Sequence, residues 1–128
     1  MASTFDEKIA YQIGKETAIE VRAHGSHWSF TPNIDVLRDP RWGRVGETFG
    51  EDPYLVGNFG VEMIKGLQSD DFSGFDHVIA CAKHFAAGSE PVNGLNVSPM
   101  DISERTLREI YLKPVSYTHL TLPTKQPV

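Results

Sequence analysis

The sequence has one cysteine, two tryptophans and no run of basic residues, and none of its apolar runs approaches the ~20 residues of a membrane-spanning helix. Each scarcity excludes something. With Cys81 alone there is no internal disulfide, and its place in the apolar stretch 78–82 reads as a buried, inert thiol. A net charge of −5 without a Lys/Arg cluster argues against a nucleic-acid surface, which leaves a small neutral or polar molecule as the expected partner, with no membrane contact. The N-terminal residues lack the basic-then-apolar layout of a secretory leader. No zinc-ligand spacing, phosphate-cradling glycine loop or serine elbow occurs, so neither a metal nor a cofactor is expected. His24 and His27 are separated by Gly-Ser and do not share a helical face, which makes them a poor metal pair.

What is present is the composition of a globular chain: 128 residues, 40% hydrophobic and 23% charged. Its most concentrated feature spans residues 31–53. Apolar Phe30, Ile34, Val36 and Leu37 suggest a strand over residues 27–37, which runs into a loop crowded with Arg38, Asp39, Arg41, Trp42, Arg44, Glu47 and Glu51. Pro40 sets a turn, Gly43 and Gly46 are expected to take backbone angles closed to other residues, and Trp42 is costly to leave in water. Such a loop is either a structural network of Arg and Asp or a site for a polar ligand.

Around it the pattern alternates between helix and strand. Residues 5–24 read as an amphipathic helix with Ile9, Ile13 and Val21 inward, Thr4 and Glu7 at capping-box spacing, and Gly25 as its stop. Asp52-Pro53 is a strong helix start, followed by a stripe of Leu55, Val56, Phe59, Met63, Ile64 and Leu67. A polar loop over residues 69–74 precedes the apolar run 78–85, which reads as a strand buried on both faces. Residues 101–111 repeat capping-box spacing at Asp101 and Glu104 before Leu107, Ile110 and Tyr111. Beyond residue 114 no helical period is clear, and residues 115–128 are expected to be a frayed tail or short edge strand.

The fold class expected from this order is α/β, with polar residues collected beyond the C-terminal ends of both strands, where α/β barrels and open sheets build their sites. Lys83 and His84 end the second strand and face the loop that carries Arg44. Donors in fixed geometry suit hydroxyls, carboxylates or phosphates, and the nearby acids favour hydroxyls. A carboxylate pair is conceivable among Asp35, Asp39, Glu47, Glu51 and Glu90, but spacing selects no two of them. Glu90 and Asn93, in the loop 88–99, are further candidates to reach the same mouth.

Four motifs in order, residues 33–44 (NIDVLRDPRWGR), 47–53 (ETFGEDP), 82–86 (AKHFA) and 101–111 (DISERTLREIY), closely resemble the glycoside hydrolase family 3 β-glucosidases and β-xylosidases. The resemblance runs from about residue 5 to 114. It implies an incomplete (β/α)8 TIM-type barrel, with residues 1–114 an internal fragment of the family's N-terminal domain. Residues 115–128 resemble a translated adapter read-through foreign to it. It also implies that Arg44, Lys83 and His84 bind sugar hydroxyls next to the cleaved bond. A retaining, exo-acting mechanism on terminal β-D-glucosyl or β-D-xylosyl residues is implied too, its nucleophilic Asp and acid/base Glu lying in segments absent from this chain. No residue present is therefore expected to be catalytic. The stretch after Lys-His-Phe looks like the glucosidase and xylosidase branch. A second sugar-binding arginine found in some members falls here in Asn93-Gly-Leu-Asn96, so Glu90 or Asn93 is expected in its stead, with Glu47 supporting. Two other readings stand beside this one: a sugar-binding module without catalysis, and a fragment that has no function and does not fold alone.

Overall fold

The computed structural model describes residues 1–69, 71 and 74–121. Helix α1 spans Glu7–Ala23 and helix α2 Pro53–Gln68. Each is followed by a short strand, β1 at Trp28–Ser29 and β2 at Ile79–Ala80. The strands pair in parallel, Trp28 beside Ile79 and Ser29 beside Ala80, and a further parallel bridge joins Asn33 to Lys83. Helix α3, Glu104–Thr106, leads through a π-helical stretch, Leu107–Tyr111, into α4, Leu112–Thr121.

Both strands are much shorter than the periods of residues 27–37 and 78–85 suggest. The cause is local. Pro32 has no N–H to donate, so the ladder breaks between Ser29 and Asn33. Isolated bonds continue it: Cys81 N donates to Thr31 O at 3.0 Å, Lys83 N to Pro32 O at 2.9 Å, and Ile34 N to Lys83 O at 2.6 Å. The Thr31–Pro32, Lys83–His84 and Phe85–Ala86 peptides are cis. The second strand is not buried on both faces, since Ile79 is 56% exposed and Phe85 81%. On the outer edge of β2, Gln68 Oε1 accepts from Ala80 N at 3.1 Å, so the end of α2 satisfies a strand amide.

The helices follow the expected stripes with one exchange. In α2, Val56, Phe59, Ile64 and Leu67 are buried, and Asp52 caps its start, accepting from Leu55 N at 2.7 Å with Pro53 next in line. In α1 the buried residues are Ala10, Gly14 and Ala18, whereas Ile13 is 39% exposed. The small residues allow close approach. A Cβ on Gly14 would sit 2.5 Å from Met63 O, and one on Gly66 would sit 2.2 Å from Tyr11 O. Backbone contact between helices has replaced the isoleucine face.

The caps also move. Asp6, rather than Thr4, caps α1 by accepting from Lys8 N at 3.0 Å, and Ser103, rather than Asp101, caps α3 by accepting from Thr106 N at 3.1 Å. Gly25 ends α1 with φ +82° as expected. Gly43 and Gly46 do not take positive φ; the glycine that does so in this loop is Gly50, at +117°. Cys81 is half-buried, not buried, because the strand around it is open on one side.

Where a tail or edge strand was expected, residues 115–121 continue α4; residues 122–128 lie outside the described residues. The π turn falls where Pro114 would otherwise meet the carbonyl of Ile110, one turn earlier. Tyr117 lies over Gly57 of α2 and stands edge-on to Tyr54 with ring centroids 6.1 Å apart. The main core gathers Ala10, Ile34, Val36, Phe49, Val56, Phe59, Ala87 and Tyr111, with Phe49 and Phe59 tilted at 5.6 Å. A second cluster of Ala18, Leu67 and Val78 lies between the helices and β2.

Candidate functional site

The polar cluster forms where the two strand segments end side by side. Asn33 and Asp35 alternate with Ile34 and Val36. The apolar pair enters the core and the polar pair turns the other way, as a period of two requires. The bond from Ile34 N to Lys83 O holds this segment against Lys83-His84. His84 Nδ1 then lies 2.7 Å from Asp35 Oδ2, and the Asp35 side chain is fully buried.

Arg44 arrives from the loop. Trp42 anchors that loop: it is 2% exposed, its indole Nε1 donates to Asn96 Oδ1 at 2.8 Å, and Arg44 Cζ lies 5.6 Å from its ring centroid. The Arg44 guanidinium donates to both Glu47 oxygens, from Nε at 2.9 Å and from Nη2 at 2.8 Å, and its Nη1 lies 3.3 Å from His84 Nε2. Such a two-point pair fixes the plane of the guanidinium. Hydrogen bonding to Arg44 is the main reason the Glu47 carboxyl is lowered to about 2, with smaller help from the charge of Arg44, from Asn33 and from the charge of Lys83. The same pairing raises Arg44 further above its usual range.

Two clefts flank this pair. One, of about 310 Å³, is lined by Trp42, Arg44, His84, Gly88, Asn96, Val97, Ser98 and Met100. The other, of about 330 Å³, is bordered by Asn33, Glu47 and Lys83. Both volumes lie near the lower end for small-molecule sites. Arg44 and His84 are therefore brought together, Glu47 bridges toward Lys83, and Lys83 opens on the neighbouring cleft. Glu90 is half-buried at a bend, its N–H donating to Ala87 O at 3.1 Å, and Asn93 sits exposed in a turn at φ +60°; neither lines these clefts.

Other charged residues of the loop have local duties. Asp39 accepts from the backbone N, Nε and Nη2 of Arg41, which makes a self-contained clamp at the turn and lowers the Asp39 carboxyl. Gly94, at φ +71°, packs so close to Arg41 that a Cβ there would lie 2.6 Å from the arginine's own Cβ. That contact ties residues 88–100 to the arginine loop. Asn96 was not singled out from the sequence, and no spacing marks it. Asp35 and Asn33 were readable from their alternation with apolar neighbours. Among the described residues no group of three or more His, Cys, Asp or Glu side chains is placed to hold a metal ion.

A guanidinium held by the exposed carboxylate of Glu47 and an imidazole held by the buried one of Asp35, where parallel strand segments end, define a polar-ligand site of an α/β protein. The profile of the Glycosyl hydrolase family 3 N terminal domain matches residues 1–120. A β-xylosidase of Formosa agariphila is 47% identical over 116 residues, covering 88% of this chain and 16% of its own length. A periplasmic β-glucosidase of Salmonella typhimurium is 35% identical, over 89% of this chain and 15% of its own. Among solved structures, a β-glucosidase from Listeria innocua superposes with a TM-score of 0.90 at 35% identity, covering 94% of this chain and 17% of that one, and it has been crystallised with glucose. The chain belongs to glycosyl hydrolase family 3. It spans roughly a sixth of the length of these relatives.

Proposed function

We propose that this chain is part of a retaining, exo-acting β-glycosidase acting on terminal β-D-glucosyl or β-D-xylosyl residues, in which Arg44, Lys83 and His84 bind hydroxyls of the sugar beside the scissile bond. The observation that carries the reading is the Glu47-anchored Arg44 guanidinium beside His84, at the C-terminal ends of adjacent parallel strand segments. Relatives named β-xylosidase and β-glucosidase support the substrate class. Glu47 holds Arg44 in plane, whereas Glu90 and Asn93 line neither cleft and are assigned no contact with the sugar.

In the retaining mechanism a carboxylate attacks the anomeric carbon while a carboxylic acid protonates the leaving oxygen, and water then releases the glycosyl-enzyme. Neither of these carboxyl groups is assigned to a residue of this chain. Its residues orient the sugar, which contributes through positioning. Residues 1–114 are read as a segment of an incomplete (β/α)8 barrel; the family profile runs on to residue 120 and Tyr117 packs over Gly57, which leaves only residues 121–128 to be read as foreign to that domain. Exposed Trp28, Phe30, Ile79 and Phe85 support the barrel reading, because strand faces of this kind are covered in a closed barrel.

The test is an assay of the 128-residue chain with nitrophenyl β-D-glucoside and β-D-xyloside. No nitrophenol release is expected. Enzyme-proportional release that is abolished by R44A would place the catalytic carboxyls within this chain and overturn the assignment. Saturable, stereospecific glucose or xylose binding in calorimetry fits the sugar clamp in either case, and a cooperative melt of this chain alone would in addition favour a sugar-binding module without catalysis.

A further inference from the structure

Asp35 is the most buried carboxylate at the site and has no assigned task. Its residue is 3% exposed, Oδ2 lies 2.7 Å from His84 Nδ1, and Oδ1 has no hydrogen-bond partner among the described residues. The other side of the imidazole meets Arg44 Nη1 at 3.3 Å from Nε2. A guanidinium only donates, so the nitrogen facing it must offer a lone pair. A carboxylate only accepts, so the nitrogen facing Asp35 must carry the hydrogen. The two contacts require the same neutral ring, with its hydrogen on Nδ1.

The geometry points to Asp35 as a positioning residue that locks His84 in the Nδ1–H tautomer and leaves Nε2 as a hydrogen-bond acceptor opposite the Arg44 donor. This pairing has a consequence for the ligand, and that part rests on the sugar-binding reading given above. A hydroxyl seated between the two groups accepts from Arg44 and donates to His84 Nε2. A carboxylate or phosphate oxygen satisfies Arg44 but meets a lone pair at His84. The clamp therefore selects a neutral hydroxyl over an anion, even though arginine alone has no such preference.

Long-range ¹H–¹⁵N correlation spectra of the full 128-residue chain at neutral pH read the tautomer of each histidine, with His84 assigned by its absence from H84Q. The expected result is an Nδ1–H ring in the wild type and in R44A, and loss of that form to a tautomer mixture in D35A. An Nε2–H ring or an unperturbed mixture in the wild type overturns the assignment, as does loss of the Nδ1–H form in R44A or its retention in folded D35A. Should D35A not fold, the wild type and R44A still decide the question, because only a tautomer set by Asp35 survives removal of the arginine. A carboxylate with a merely structural role would not move the ring nitrogens. Titration of methyl β-D-glucoside and of inorganic phosphate into the same sample separates the two claims. A saturable shift at His84 with the glucoside and none with phosphate is expected. An Nδ1–H ring that responds to neither supports the Asp35 assignment and contradicts the sugar reading, and one that responds to phosphate alone overturns the selection of a hydroxyl.

Discussion

At the scale of single residues, the arrangement is governed by which charges hold which. Arg44 has one firm partner, Glu47, and that partner is exposed enough for solvent to screen it: the Glu47 side chain is 47% accessible and that of Arg44 28%. The carboxyl is nevertheless lowered from 4.5 to about 2, because two parallel N–H bonds favour its charged form. A folded-state value below the unfolded one means that the contribution of the pair is fully present above about pH 4.5 and disappears as pH falls through about 2. A carbon-13 carboxyl titration of the chain should accordingly place the Glu47 midpoint close to 2 in the wild type and near its ordinary range in R44A. A wild-type midpoint at the ordinary value would mean that the Arg44 fork is not formed. The resemblance to family motifs marked Arg44, Lys83 and His84, but it could not say that Lys83 opens on a separate cleft from the other two. That separation depends on how the Lys83–His84 backbone passes the end of β1, which residue spacing does not encode.

At the scale of elements, helix α2 was the most legible part of the chain because all its signals agree: an acid cap, a proline at the first turn and a stripe at helical spacing. Replacing the cap by alanine, D52A, should cost about 1 kcal/mol in urea unfolding, since the Leu55 N–H loses its 2.7 Å acceptor. Helix α1 was half legible. Its extent and its glycine stop were readable, but its buried face was not, since Ala10, Gly14 and Ala18 carry little hydrophobic signal and are chosen for what they lack. Gly66→Ala probes this directly. Its new Cβ would meet the Tyr11 carbonyl at 2.2 Å, and backbone cannot swing aside as a side-chain end can. Overpacking of this kind costs about 1–3 kcal/mol. Gly57→Ala should cost less, because the atoms it meets belong to the Tyr117 side chain and not to backbone, although the whole ring has to shift. Equal losses for the two variants would contradict the assigned helix contact. The strands were the least legible elements. Apolar periodicity predicts burial, and burial was expected of residues that pair only briefly before Pro32 interrupts the ladder.

At the scale of the whole molecule, the chain has a core but not a closed surface. Trp28 and Phe30 pack as a tilted pair with centroids 4.8 Å apart while remaining 55% and 62% exposed, and Phe85 is 81% exposed on the neighbouring segment. Apolar strand faces left open in this way attract other apolar surfaces. The chain is expected to bind an anilinonaphthalene dye at neutral pH more strongly than an enzyme of the relatives' full length, and comparable fluorescence from the two would contradict the open-face reading. Length alone suggested one ordinary domain, and composition agreed with it. Only the four motifs in order tied the chain to a family whose members are about six times its length, because an α/β repeat looks much the same whether or not its neighbours are present.

If Arg44 is held in place to bind a sugar hydroxyl beside the scissile bond, its removal has to show in the hydrolysis of a nitrophenyl β-glycoside. The comparison is between wild type and R44A in an enzyme of the relatives' length that carries this segment. Hydrogen bonds to charged groups are worth about 1.5–3 kcal/mol, and each ~1.4 kcal/mol is a factor of ten in rate. A loss of kcat/KM of about 10- to 100-fold is expected, with the protein still folded. Unchanged kcat/KM in R44A would contradict this role.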